Sequence, residues 1–93
     1  MPMLRMSHDA AVLVQTLTNT QEASSHGGVR IVVNEETNSL SMSVADVPRH
    51  EDVVVTRGAS RVFLSEPAAH RLQGQTLCAE VPPDRSLFFF RPG

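Results

Sequence analysis

The sequence has very little cysteine and no long apolar run. Its 93 residues include one cysteine, Cys78, so no disulfide can form within the chain, and nothing in the composition points to an oxidising compartment. No stretch approaches the roughly 20 apolar residues that a membrane-spanning helix needs. Residues 1–9 contain no apolar segment typical of a signal peptide. These absences predict a cytoplasmic protein without membrane insertion.

A strong excess of charge of either sign is also missing. Eight basic and ten acidic residues give a formal net charge of −2. Proteins that bind nucleic acid over a broad surface normally carry a basic patch, so we expect no nucleic-acid partner. The hydrophobic fraction of 41% is ordinary for a globular protein. A chain of this length suffices for one core, and we expect residues 1–93 to form a single domain.

Two segments carry the signals of helices. In residues 7–18, apolar side chains recur at helical spacing, Ser7 is suited to the N-cap, and Asp9 suits the positive end of the helix dipole. The apolar face consists of Ala10, Leu13, Val14 and Leu17. Ser65-Glu66-Pro67 starts a second helix with a capping hydroxyl and a proline in the first turn. Gly74 is placed to end that helix early.

The other apolar segments predict six short strands. They cover residues 29–33, 40–44, 53–55, 61–64, 76–81 and 86–91. The clearest one-sided pattern has Leu40, Met42 and Val44 alternating with serines. Residues 34–38 and 82–85 are polar or proline-rich and predict turns. Because helices do not alternate with every strand, the order predicts a small α+β domain whose sheet is mixed or mainly antiparallel.

Six strings follow one another along nearly the whole chain. They are LRMSHDAA (4–11), GVRI (28–31), DVVV (52–55), RVFLSEPAA (61–69), LQGQTL (72–77) and FFF (88–90). In this order they resemble the HesB-like iron–sulfur cluster biosynthesis family, also called A-type carriers. The resemblance implies the HesB-like fold, with one N-terminal helix and one short helix, and a role related to iron–sulfur cluster assembly.

The resemblance does not extend to the family's cysteines. That family binds iron and clusters through one cysteine just after the first central strand and a Cys-x-Cys pair near the C-terminus. Here the corresponding loop, residues 34–39, contains no thiol, the sequence ends at Gly93 without such a pair, and Cys78 matches none of the three positions. Clusters are normally held by several thiolates. We therefore expect a degenerate relative with no cofactor, in which iron or a cluster would require unusual ligation.

The densest set of other metal-ligand side chains is His50-Glu51-Asp52, with Asp46 upstream. Imidazole and carboxylate groups together can bind Fe(II), Zn(II) or Mn(II). The alternative is a solvated loop, because adjacent residues project in different directions and no spaced histidine pair supports the set. Both interpretations stay open on the sequence.

Three consecutive phenylalanines, Phe88, Phe89 and Phe90, predict a protein-contact surface. On a strand, the outer two share one face and Phe89 points to the other. If one side of the sheet were uncovered, an exposed aromatic group would mark a contact with a protein partner or a second copy, as in a homodimer. The alternative is that helices cover both faces.

No residue pattern predicts catalysis. A Gly-x-Ser-x-Gly nucleophile motif is missing, and a domain of this size has little room for a deep pocket. A reactive Cys78 would need exposure and a lowered pKa, whereas the alternative is a small apolar side chain packed in a sheet. We expect no enzyme activity and no catalytic residue.

Three functions remain consistent with the sequence. The first is a non-enzymatic accessory or binding role in iron–sulfur cluster assembly, without the family's usual cysteine ligation. The second is iron or other metal binding through His50, Glu51 and Asp52. The third is a dimeric scaffold unrelated to iron.

Overall fold

The computed structural model describes residues 3–80 and 86–93, which contain seven strands and two helices. The elements in chain order are β1 (Arg5–Met6), α1 (His8–Thr20), β2 (Gly28–Asn34), β3 (Ser39–Ala45), β4 (Val53–Arg57), β5 (Ser60–Leu64), α2 (Glu66–Arg71), β6 (Gln75–Glu80) and β7 (Leu87–Pro92). The predicted turn at residues 82–85 lies outside the described residues, as does Val81.

The described strands form two sheets, ordered β1-β6-β7 and β3-β2-β5-β4. The β1/β6 and β2/β5 pairs are parallel, and the other three pairs are antiparallel. The predicted α+β class with mixed, mainly antiparallel pairing is confirmed. The strands form two sheets, whereas the sequence predicted one. The structure also has a two-residue strand before α1 that was not predicted, because Arg5 and Met6 pair with Thr76 and Leu77.

Helix α1 packs against both sheets. It begins where Ser7 Oγ accepts a hydrogen bond from Ala10 N at 3.1 Å, which confirms the predicted N-cap. Its fully buried face, with Ala10 and Val14 at its centre, contacts β6 of one sheet and β2 and β5 of the other. In the described part of the chain, neither helix has the length and apolar character needed to cross a membrane.

The core lies between α1 and the inner faces of the two sheets. Its fully buried side chains include Ile31, Val62, Leu64, Leu72 and Leu77. A buried hydrogen bond of 2.5 Å from Ser60 Oγ to Ala11 O adds a polar tie between β5 and α1. The inward-facing residues of β2, β5 and β6 alternate with outward-facing ones, as period-two strands require.

Strand β3 is less buried than its alternating pattern predicts. Leu40 and Val44 are half-buried, whereas Met42 is 36% exposed. The reason is position, because β3 is at one edge of the four-stranded sheet and has a paired neighbour on one side only. Alternation predicts which residues share a face but not how well that face is covered.

Close strand packing at Gly28 predicts a specific loss of stability. A Cβ at this buried glycine would overlap the backbone carbonyl of Arg61, so Gly28→Ala should lower the free energy of unfolding by about 2–3 kcal/mol, as overpacked cores do. The control is Gly58→Asn, because Gly58 has a φ of +59° with open space around it and asparagine tolerates that conformation. Urea denaturation should show at most about 0.5 kcal/mol for the control; equal losses would contradict the packing argument.

Candidate functional site

The three residues predicted to bind metal lie together in the connection between β3 and β4. His50 and Glu51 are exposed, and all three line a pocket of about 410 Å³ beside the start of α2. Arg30, Arg49, Ser65, Glu66 and Pro67 complete its lining. The pocket is therefore mixed in charge, with two arginines facing three carboxylates.

The carboxylate of Asp52 is already occupied by protein donors. Arg30 donates to it from Nε and Nη2 at 3.0 Å each, and Arg49 N donates at 2.8 Å. The side chains of Arg30 and Asp52 are 15% and 2% exposed. A forked, two-bond contact between guanidinium and carboxylate is a strong form of ion pair, so Asp52 serves the fold directly.

The ion pair spans three strands. Arg30 on β2 lies beside Phe63 on β5, and Phe63 lies beside Val54 on β4, so these side chains share one face of the sheet. Asp52 is two residues before Val54. The Arg30 side chain therefore crosses β5 to reach Asp52 and ties β2 to the start of β4.

The Arg30 contact shifts the acidity of Asp52. Burial by itself raises the pKa of this carboxyl, but the hydrogen bond from Arg30, the one from Arg49 N and the charges of both arginines outweigh it. The net result is an Asp52 pKa below its ordinary value of 3.8. The carboxylate of Asp52 is therefore kept ionised by its contact with Arg30.

The part of the chain that the structure describes contains no group of three histidine, cysteine, aspartate or glutamate side chains placed to hold a metal ion. The prediction of metal binding by His50, Glu51 and Asp52 stays a prediction. Asp52 would have to leave Arg30 to bind a cation. The clearest residue that sequence analysis missed is Arg30, whose signal was a lone charge within a β-branched strand.

The turn between β2 and β3 is the place where the resembling family has its first cysteine. Here Asn34 Oδ1 accepts hydrogen bonds from Glu36 N and Thr37 N at 3.1 and 3.4 Å, which closes the turn. Asn38 adopts a positive φ of 58°, and Arg71 from α2 donates to its backbone and side-chain oxygens. The turn is built from amide and backbone contacts in a segment without a thiol.

Cys78 is buried on β6, 8% exposed. Its Sγ lies 3.7 Å from Thr76 O, and its neighbour across the strand pair is Phe89. Leu77 and Ala79, on either side of it, belong to the core. Cys78 therefore points to the other face of the sheet, and its burial fits a packed thiol.

The three phenylalanines divide as the strand period predicts. Phe88 and Phe90 pack against the core, opposite Ala79 and Leu77. Phe89, half-buried, lies opposite Cys78 on the outer face. All three are half-buried, and that they form a protein contact stays a prediction.

Two sheets around α1, with a short α2 entering β6, define the fold of the iron–sulfur carriers that the sequence resembles. Similar solved structures include those of Escherichia coli SufA, described as involved in the biosynthesis of iron–sulfur clusters, and of IscA with a [2Fe-2S] cluster. SufA matches at a TM-score of 0.80 and 17% identity, over 96% of this chain and 84% of SufA. IscA matches at 0.68 and 18%, over 97% of this chain and 85% of IscA.

These matches confirm the HesB-like fold and say nothing further of what this chain does, since the identities are low. No protein-family model matches the sequence, and no curated protein matches it significantly. The resemblance that the sequence carries in short strings is thus present in three dimensions over nearly the whole chain.

The Arg30–Asp52 pair makes stability depend on pH. A carboxyl whose folded pKa is depressed stabilises the protein above its unfolded pKa and loses that contribution as the pH falls through the folded pKa. Asp52→Asn should therefore cost about 2–4 kcal/mol at pH 7, as removal of one partner of a buried pair does. The cost should shrink below about pH 4.

Urea denaturation of both proteins at pH 7 and pH 3 measures this difference. The matched control is Glu51→Gln, the same chemical change at an exposed neighbour, with an expected effect within about 0.5 kcal/mol. A cost for Asp52→Asn that is the same at both pH values would show that the carboxylate charge is not what Arg30 needs.

Proposed function

We propose that this chain is a non-enzymatic binding protein that acts in iron–sulfur cluster assembly without holding a cluster through cysteine thiolates in the usual way. The proposal rests on two observations taken together, the shared fold and the position of the single cysteine. The chain shares its fold with SufA and IscA over 96–97% of its length, yet its single cysteine is a buried strand residue.

The chemistry of ligation supports the second half of the proposal. A cluster iron needs thiolate or comparable ligands to complete its coordination, and Cys78 supplies one per chain. In the turn after β2, the Asn34 side chain closes the turn and Asn38 is held by Arg71. A second copy would add one more thiol and still leave the set short.

The absence of a catalytic arrangement in the described pocket supports a binding role. Ser65, the hydroxyl beside His50 and Glu51, accepts a hydrogen bond from Ala68 N at 3.3 Å as the cap of α2. It is therefore oriented toward the helix backbone and lacks a hydrogen-bonded base, which a serine nucleophile requires. We propose that the protein works in the cytoplasm through contacts with a protein partner.

Anaerobic reconstitution with ferrous iron and sulfide tests this function. The purified chain should develop no stable visible absorbance of an iron–sulfur cluster after desalting, and Cys78→Ala should behave identically. IscA, which has been seen with a [2Fe-2S] cluster, serves as the positive control. A stable chromophore that disappears in Cys78→Ala would overturn the proposal.

The metal-binding alternative has one favourable observation. His50, Glu51 and Asp52 line the same pocket as Glu66, so two exposed carboxylates and an imidazole face one space. Calorimetric titration with Fe(II) and Zn(II) decides it. Binding at micromolar metal that is weakened at least about tenfold in His50→Ala, as loss of a ligand predicts, and unchanged in the control His26→Ala would establish this site; absence of binding would remove it.

A further inference from the structure

The three-stranded sheet β1-β6-β7 has an outer face that points away from α1. Pairing places Arg5 beside Thr76 and Thr76 beside Arg91, and it places Cys78 beside Phe89. The intervening residues of the same strands, Met6 and Leu77 among them, belong to the core. We call the surface formed by Arg5, Thr76, Phe89, Arg91 and the adjoining Leu87 the outer face.

Two arginines form one row across this face. Arg5 and Arg91 are both exposed, and each is a lateral neighbour of Thr76. Adjacent strands lie about 4.8 Å apart, so the two arginine Cα atoms are separated by about 10 Å. Both guanidinium groups can therefore reach the same bound segment from opposite sides.

Arg5 and Arg91 differ from four of the five other described arginines; the exception is Arg49, whose guanidinium group donates no hydrogen bond to a described residue. Arg57, Arg61 and Arg71 each donate to a backbone carbonyl, and the one ion pair among residues 3–80 and 86–93 is Arg30–Asp52. No hydrogen bond from the side chain of Arg5 or Arg91 to a described residue is formed. The acidic residue on the same face is the exposed Glu80, which lies opposite Leu87 and four residues along β6 from Thr76.

Apolar surface adjoins the cationic row. Phe89 and Leu87 are half-buried on β7, one and two positions along the outer face from Arg91. In the described part of the chain, the helix that packs on β6 is α1, which lies on the opposite, core side. A sheet face that combines free arginines with an aromatic ring is typical of a protein-contact surface.

We infer that the outer face binds an acidic, extended segment of a protein partner, with carboxylates between Arg5 and Arg91 and an apolar side chain against Phe89. Carboxylates at alternate positions of an extended segment lie about 7 Å apart, within the span of two arginine side chains whose Cα atoms are about 10 Å apart. This inference rests on the proposed binding function and names the partner's chemistry.

The charges on the molecule favour an acidic protein segment over a nucleic acid and over a second copy of this chain. A nucleic acid would need a broader basic surface than two arginines on a chain of net charge −2. A second copy would have to offer an extended acidic segment, but the adjacent Glu35 and Glu36 lie in the hydrogen-bonded turn after β2. An acidic segment of a different protein can pair with the two arginines and place an apolar side chain against Phe89.

Binding of a defined peptide tests the inference. The probe is a synthetic peptide of alternating glutamate and leucine, and the control probe replaces each glutamate by lysine. Amide chemical shifts of the full chain should change on titration with the acidic peptide and map to β1, β6 and β7. The lysine peptide should produce no such changes, and added salt should weaken the acidic complex.

Charge reversal at the row supplies the matched variants. Arg5→Glu with Arg91→Glu should weaken the acidic peptide at least about tenfold, because attraction becomes repulsion. Phe89→Ala as a single substitution should also weaken binding of the acidic peptide. Arg71→Glu, a charge reversal at an exposed arginine on α2 that contacts the turn after β2 of the other sheet, should leave affinity unchanged. Circular dichroism confirms that each variant is folded.

Four outcomes overturn the inference. They are unchanged affinity in the double arginine variant, shift changes that map to other elements, tighter binding of a single-stranded oligonucleotide at the same face, and a dimer in sedimentation that the double variant dissociates. The reconstitution experiment above is independent of this row. A cluster bound through Cys78 together with intact peptide binding would reject the proposed function and retain the outer face.

Discussion

The structure depends on one helix packed against two sheets. Helix α1 buries its apolar face, with Ala10 and Val14 fully enclosed, against β6 on one side and β2 and β5 on the other. Neither sheet has an inner face that another described helix covers as broadly. Burial of apolar surface is the dominant stabilising contribution in a domain of this size, and α1 is the element through which both sheets share it.

Polar contacts set how the elements meet once the core is formed. The Arg30–Asp52 pair crosses β5 and holds the start of β4, and Arg57 Nη1 donates to Met6 O at 2.9 Å, which links β4 to β1 of the other sheet. Asp52 and Arg57 thus anchor both ends of an edge strand. The same contacts give Asp52 a structural role in the connection between β3 and β4.

The contrast with the cluster carriers lies in side chains rather than architecture. In the place where the resembling family has a thiol, the chain has an asparagine-closed turn, and its own thiol is packed beside Phe89. A fold that positions ligands can persist when the ligands change, because core packing and ligand chemistry involve different residues. On the outer face of β1-β6-β7, cationic and apolar groups adjoin.

The sequence by itself determined both helices, six of the seven described strands and which residues share a face. Ser7 and Ser65 predicted both helix starts, and the period of two placed Phe88 and Phe90 on the side opposite Phe89, because caps and alternation are local properties of the backbone. It also showed the missing thiols directly.

The tertiary structure decided which distant residues lie next to one another. Arg30 and Asp52 form an ion pair although they are 22 residues apart in the sequence. Arg5 and Arg91 lie on either side of Thr76, one on β1 and the other on β7. No local pattern encodes such pairings, because they follow from strand order. That order also left β3 at an edge, and it left Phe89 as the one member of its aromatic run that faces away from the core.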